Sequence, residues 1–349
     1  MTKLNLNMEK EKKDLTSSNI DRQNILNNKY ALESIKEKYN FPGFLFENEY
    51  RLTKKMVADF YDVDERTIDR YIEKNNEELS QNGYELLRGN RLKELKLRFG
   101  NDIDVATKTT VLGLFNFRSF LNIGMLLTES ENAKTLRSNI LDIVIESINN
   151  KTGGGTKYIN RRDANYLPTA LMEVSYRKKF TNSINAFVDG HRNMKYAYAT
   201  NYIYQAIFKE NASEYRKILK LNKKDNVRST FYTEIMLLVS AFENGVAYEI
   251  EKQYNSTKKK LSLEDVNRII LDLAMHPMQK PIIDDARSKM ASRDLCFRDA
   301  MHDKLAEYIS SVSEEDFDKF IGEQSVDFEE LLEDNKDVLL RLKQANTDE

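Results

Sequence analysis

The sequence predicts a mainly α-helical protein with a winged helix-turn-helix near its N-terminus and small β-wing or hairpin elements beside it. Three observations predict this. Tyr, Ile, Leu and Phe recur at three-to-four spacing through most of the 349 residues. The stretch "MVADFYDVDERTIDRYI" (Met56–Ile72) has the apolar spacing of two short helices joined by a tight corner. The Gly-punctuated, alternating stretch that follows suits a small hairpin or wing.

In chain order, residues 1–45 begin with a stretch lacking a sustained apolar stripe and rich in Lys, Asn, Ser and Asp, which predicts a flexible N-terminal arm. Residues 46–106 form the expected winged helix-turn-helix. Residues 107–152 form a helical segment broken at "TESEN", where Thr128 or Ser130 can cap the next helix. Gly153, Gly154 and Gly155 are the strongest local break and mark a domain boundary, with Lys157, Arg161 and Arg162 close by. Residues 153–312 read as a helical C-terminal domain and 313–349 as an acidic helical tail. There "FEELLEDNKDVLLRLKQ" places Phe328, Leu331, Leu332, Leu339 and Leu342 along one side, to cap the chain's own core, pair with a second copy or meet a protein partner.

A formal net charge of −2 with 32% charged residues excludes a histone-like polycation, so any nucleic-acid contact must be local. Cys296 is the single cysteine, which excludes an internal disulfide, and residues 1–21 are polar rather than signal-like; a reducing cytoplasm is expected. The best apolar runs, "IMLLVSAF" and "ILDIVI", fall far below the roughly 18 residues a spanning helix needs, so no membrane partner is expected.

Within Met56–Ile72, Ala58 stands where two crossing helices need a small residue, Asp62 where a left-handed corner is needed, and Val63, Ile68 and Ile72 where the pair must lock. Asp64 is the expected cap of the second helix. Arg66, Thr67 and Arg70 then face outward to read base edges of double-stranded DNA. Lys54, Lys55, Lys74, Arg88 and Arg91 would hold phosphates, the last two on a basic wing in "LLRGNRLKELKLR". So little local positive surplus predicts a homodimer that reinforces a weak half-site.

The block "RLTKKMVADFYDVDERTIDRYI" followed by "LFNFRSFLNIGMLLTESENAKTLRSNILD" resembles the N-terminal DNA-binding region of RhuM-like proteins, with Phe115, Asn116, Phe117, Phe120, Gly124, Ser130, Leu136 and Arg137 at matching places. A looser likeness joins "NYIYQAIFKENASEYRKILKLNKKDNVRSTFYTEIMLLVSAFE" to phage-associated BRO, KilA-N and DinD proteins through Tyr204, Phe208, Tyr215, Asn226, Arg228 and Glu234. These resemblances imply DNA binding in a phage or mobile-element setting. Some RhuM-like chains carry a fused Fic domain, but here "HPMQKPIIDDAR" from His276 lacks the required loop, so nucleotidyl transfer is not implied.

The residues predict no metal site and no cofactor: His191, His276 and His302 are scattered, and "KTGGGTK" lacks the order of a phosphate loop. The densest titratable region is "PIIDDARSKMASRDLCFRDAMHDKL", where Arg298 and His302, four apart, would share a helix face. They are the catalytic candidates of an alternative effector reading, a nuclease-like toxin or defence protein. The competing reading is a charged helix face beside core residues Phe297 and Met301. The aromatic run at Tyr196, Tyr198, Tyr202 and Tyr204 suits core packing more than base stacking, with Tyr198 and Tyr202 turning inward together.

Overall fold

The computed structural model describes residues 14–39, 41–100 and 108–345 and is mainly helical, with one small antiparallel sheet near the N-terminus. The chain divides between Ser147 and Ile148 into two compact units.

The first unit begins where the sequence predicts an arm, and the described part of that stretch is ordered instead. Ser18 caps α1 (Asn19–Asn27) by accepting from the Asp21 amide, and Asn28 caps α2 (Lys29–Lys38) by accepting from that of Ala31. Leu15, Ile25, Leu26 and Ile35 are buried in the unit's core. The residue that holds them is polar: Arg22, 4% exposed, donates Nη1 to the Leu15 carbonyl at 2.7 Å and forks onto both oxygens of Glu78 at 2.7 Å. A sparse apolar pattern with a buried arginine looks like a tail in the sequence because its partner lies 56 residues away. Residues 1–13 of the expected arm lie outside the described residues.

The strands β1 (Phe44–Phe46) and β2 (Glu49–Thr53) form a hairpin closed by Glu47 and Asn48, both at positive φ (53° and 63°), the pattern of a type I′ turn. The predicted boundary at 45/46 therefore falls inside a strand. Asp64 caps α4 (Glu65–Lys74) and Asp62 turns at φ 52°, ψ 54°, both as the sequence predicts, and Thr53, which the sequence reading did not single out, caps α3 (Lys54–Tyr61). Next come α5 (Asn76–Gln81), β3 (Glu85–Arg88), α6 (Gly89–Phe99) and β4 (Val111–Phe115); the sheet runs β1-β2-β4-β3. The basic segment expected to form a wing is thus mostly the helix α6. Leu92 and Leu95 share its buried side with half-buried Phe99, over Phe46, Leu87 and Leu114, and that three-then-four spacing is helical rather than alternating.

Two further helices, α7 (Phe117–Leu126) and α8 (Glu131–Lys151), complete this region, with α8 running across the division. The residues that carry the RhuM-like resemblance cluster here as a joint with α3. Asn116 and Ser119 form a capping box on α7. Phe120 stacks on Tyr61 at 5.0 Å and accepts its hydroxyl at 2.9 Å, while Ser130 donates to the Tyr61 carbonyl at 2.5 Å and caps α8. Arg137 donates to the terminal carbonyls of α7 at Gly124 and Leu127. Gly124 is required by close approach: a Cβ there would lie 2.3 Å from the Tyr61 hydroxyl and 2.6 Å from Cζ. Because Tyr61 is fully buried, Gly124→Ala is expected to cost about 1–3 kcal/mol by overpacking. Urea unfolding measures this, and a change within about 0.5 kcal/mol, the scale of a neutral surface substitution, would refute the contact.

In the second unit α9 (Tyr166–Phe187) packs along α12 (Thr233–Thr257), the most extensive helix pair, and α10 (Arg192–Phe208) lies against α13 (Leu263–Met275) and α14 (Lys280–Arg298). The short α11 (Ala212–Ile218) brings Tyr215 to an aromatic cluster in which Phe231 lies 5.4, 5.6 and 5.2 Å from Tyr204, Phe208 and Tyr215. Of the predicted aromatic run, Tyr204 turns inward but Tyr198 does not, being 44% exposed.

The predicted acidic tail is not separate from this core. The helix α15 (Glu314–Ile321) buries Phe317, Phe320 and Ile321, with Phe320 edge-on to Tyr232 and Phe297. Two helices follow, α16 (Phe328–Asp334) and α17 (Lys336–Ala345), and Phe328 meets Tyr166 at 5.5 Å. Of the predicted apolar stripe, the Leu339 and Leu342 side chains lie outside the described residues.

Candidate nucleic-acid interface

The α3–α4 pair presents a charged face because of how it is locked. Ala58, Val57 and Ile68 are buried, and the Val63 amide returns to the Ala58 carbonyl at 3.0 Å, closing the corner at Asp62. Burying Ile68 on one side of α4 leaves Arg66, Arg70, Glu73 and Lys74 exposed, with Thr67 half-buried. The acids of the corner are spent on structure: Asp62 adopts the left-handed turn and Asp64 accepts from the Arg66 amide at 2.8 Å.

Six of the seven predicted cations divide into two groups. Arg66, Lys74 and Arg88 are exposed and make no ion pair among the described residues. Lys54, Arg70 and Arg91 are already engaged. Lys54 lies 2.8 Å from Asp69 and 3.5 Å from Glu65; burial opposes its charge, but the two carboxylates outweigh that and raise its pKa. Arg91, on α6, bonds to both Glu47 and Glu85, and those hydrogen bonds hold its pKa above the ordinary arginine value. Lys55 is exposed on the first turn of α3.

Arg70 bonds to Glu129 across an exposed surface, and Tyr71 donates to the same carboxylate at 2.8 Å and meets Thr128 at 3.0 Å. Thr128, Glu129 and Tyr71 form a clasp on the C-terminal half of α4 that sequence reasoning did not find, because Glu129 lies 59 residues from Arg70. Exposed pairs of this type contribute about 0–1 kcal/mol, so a phosphate or base can displace Glu129 cheaply.

The second candidate pair behaves differently. α14 ends at Arg298 and Asp299 turns left-handed (φ 50°), so His302 is not on the predicted helix face, and Met301, 45% exposed, is not core. The two side chains nonetheless meet through Asp294: Arg298 Nη1 lies 2.8 Å from Oδ1, and His302 Nε2 lies 2.8 Å from Oδ2. The other imidazole nitrogen lies 2.9 Å from Glu210, and Arg298 Nη2 donates to the Thr230 carbonyl at 2.7 Å. Asp294 and His302 are fully buried, Glu210 is 2% exposed, and the Arg298 side chain is 2% exposed. Burial works against a charged imidazole, but the hydrogen bonds and charges of Asp294 and Glu210 override it and raise His302 to about 9. Every polar atom of the pair is thus turned to protein and none to solvent, which suits a structural ion network rather than a reacting site.

The charged residues of the looser resemblance lie in similar networks. Arg228 is clamped by Glu173 and fully buried Glu243, and Glu243 also takes Arg177. Glu234 receives Arg293 at 3.0 Å and Lys319 at 3.2 Å.

No protein-family model matches the chain, nor does any curated protein or solved structure. No described helix is long and apolar enough to cross a membrane.

Proposed function

We propose that the first unit is a winged helix-turn-helix of RhuM-like type that binds double-stranded DNA sequence-specifically, in a regulator acting in a phage or mobile-element context. The observation that carries this reading is the left-handed corner at Asp62, which sets α4 across α3 with Arg66 and Lys74 directed away from the core. The sheet supports it: β2 precedes the helix pair, β3 and β4 follow it, and β4 lies between them, the order in which a winged fold pairs its strands.

Arg66, Thr67 and Arg70 then read base edges, and Lys55, Lys74 and Arg88 hold phosphates. Lys54 and Arg91 are assigned to the protein's own carboxylates instead. With Glu65, Asp69 and Glu73 balancing Arg66, Arg70 and Lys74 on α4, one half-site is weak and a homodimer supplies the missing affinity. The effector reading draws no support from Arg298 and His302, which are sealed from solvent.

The test is anisotropy on a duplex enriched from a random-sequence pool. Arg66→Ala is expected to lose about 1–3 kcal/mol and to flatten sequence preference. Glu129→Gln, which frees Arg70, is expected to tighten binding by a few-fold. Failure of the wild-type protein to enrich any duplex, or unchanged binding by Arg66→Ala, overturns the reading.

A further inference from the structure

Most of the buried and partly buried arginines of the second unit have a carboxylate partner, while Arg216 donates to the Asn222 and Asp225 carbonyls at 2.6 and 3.0 Å instead. Arg177, Arg228, Arg287, Arg293 and Arg298 are each held by at least one carboxylate. Arg161 and Arg162, both partly buried, make no ion pair with any carboxylate among the described residues, and the Nε of each is buried without a hydrogen-bond partner. Burial is the larger influence on Arg162 and lowers its pKa despite the nearby charge of Asp327. Holding two partly buried guanidinium groups without a carboxylate partner is costly, and an anion seated beside them would supply the missing charge.

They line one cleft of about 200 Å³ with Thr152, Gly155, Tyr158 and Phe328. Its walls are fixed. The Val326 amide donates to the Arg162 carbonyl at 2.7 Å, Arg162 Nη2 donates to Ser325 Oγ at 3.1 Å, and Gly153 and Gly154 turn the chain at φ 67° and 81°. Tyr158 and Phe328 lie 4.3 and 5.2 Å from the Arg161 guanidinium and hold its plane, and a hydrogen bond to the Tyr166 hydroxyl engages part of its donor edge.

We propose that this cleft binds the phosphate group of a small phosphorylated ligand, a phosphate monoester or a pyrophosphate, between Arg161 and Arg162. The guanidinium fork matches phosphate oxygens in geometry and charge. The volume lies below the roughly 300 Å³ at which pockets for drug-sized ligands begin, so the recognised group is compact. Asp327 and Glu329 stand exposed on the rim. Asp327 is occupied by accepting from the Glu329 and Glu330 amides at 3.0 and 3.3 Å, and both rim charges repel a polyanion that extends past the cleft. This favours a single small phosphate over a nucleic-acid backbone.

The experiment is titration calorimetry on the full chain with inorganic pyrophosphate, with citrate as a carboxylate arm and an unrelated DNA duplex as competitor. One pyrophosphate per chain is expected to bind, with citrate weaker and the duplex unable to displace it. Arg161→Gln and Arg162→Gln are each expected to lose about tenfold to a hundredfold in affinity. Arg268→Gln, at an exposed pair on α13, is expected to leave it unchanged. A measurement on the unaltered protein stands beside the variants: pyrophosphate should protect Arg161 and Arg162 from phenylglyoxal, mapped by mass spectrometry. No binding by the wild-type chain, binding unchanged in both arginine variants, absence of protection, or displacement by duplex DNA overturns the proposal.

Discussion

Asp294→Ala is expected to destabilise the second unit by about 3–5 kcal/mol, the range for removing one partner of a buried ion network. Asp294 is fully buried and divides its oxygens, Oδ1 to Arg298 and Oδ2 to His302, each at 2.8 Å. Burial alone would raise its carboxyl pKa, but the Arg298 and His302 charges hold it below the ordinary carboxylate value. Truncation leaves Arg298 with backbone carbonyls only and His302 with Glu210 only, so two buried cations lose their shared anion. Urea unfolding of the full chain measures this in the transition of the second unit. Replacing Asp294 and Arg298 together by Leu and Met is expected to cost less than the sum of the two single changes, because no unpaired charge remains between them. Additive losses would show that packing, not charge pairing, sets the cost.

What was legible in the sequence was local. The left-handed corner at Asp62, the caps at Asp64 and Ser130 and the inward face of α4 all follow from rules that act within one turn of chain. What was not legible depended on distant partners. Arg22 looks like an arm residue until Glu78 is placed beside it, and Lys54 and Arg91 look like phosphate ligands until Asp69, Glu47 and Glu85 claim them. Two errors had local causes that the pattern contained. The spacing of Leu92, Leu95 and Phe99 marks α6 as a helix, but the glycine at position 89 and the dense cations drew the reading toward a wing. Arg298 and His302 satisfy a four-residue rule that holds only while the helix continues, and it stops at Asp299. The proposed interface therefore keeps Lys55, Arg66, Arg70, Lys74 and Arg88 and cedes Lys54 and Arg91 to the fold.

The same network sets the expected response to alkali. His302 faces Asp294 and Glu210, with Tyr215 tilted beside it at 5.8 Å and Arg298 reached through Asp294. Its pKa is about 9 in the folded chain, against about 6.5 when unfolded. Below pH 6.5 both states carry the proton and the stabilisation is fully present. Between 6.5 and 9 the unfolded chain has released its proton while the folded chain still holds it, so stability falls as pH rises, by on the order of 3 kcal/mol in total. For a unit of this size that corresponds to a melting temperature lower by roughly 10 °C. Glu234 sets the opposite limb: burial raises its pKa, but Arg293 and Lys319 override that and bring it to about 2, so its contribution is present above the unfolded value and is lost as pH falls toward 2. The observable on the alkaline side is a stability profile whose decline tracks the imidazole Cε1–H titration of His302. A flat profile between pH 6.5 and 9, or an imidazole that titrates near 6.5 in the folded protein, would show that the two carboxylates do not hold the charge.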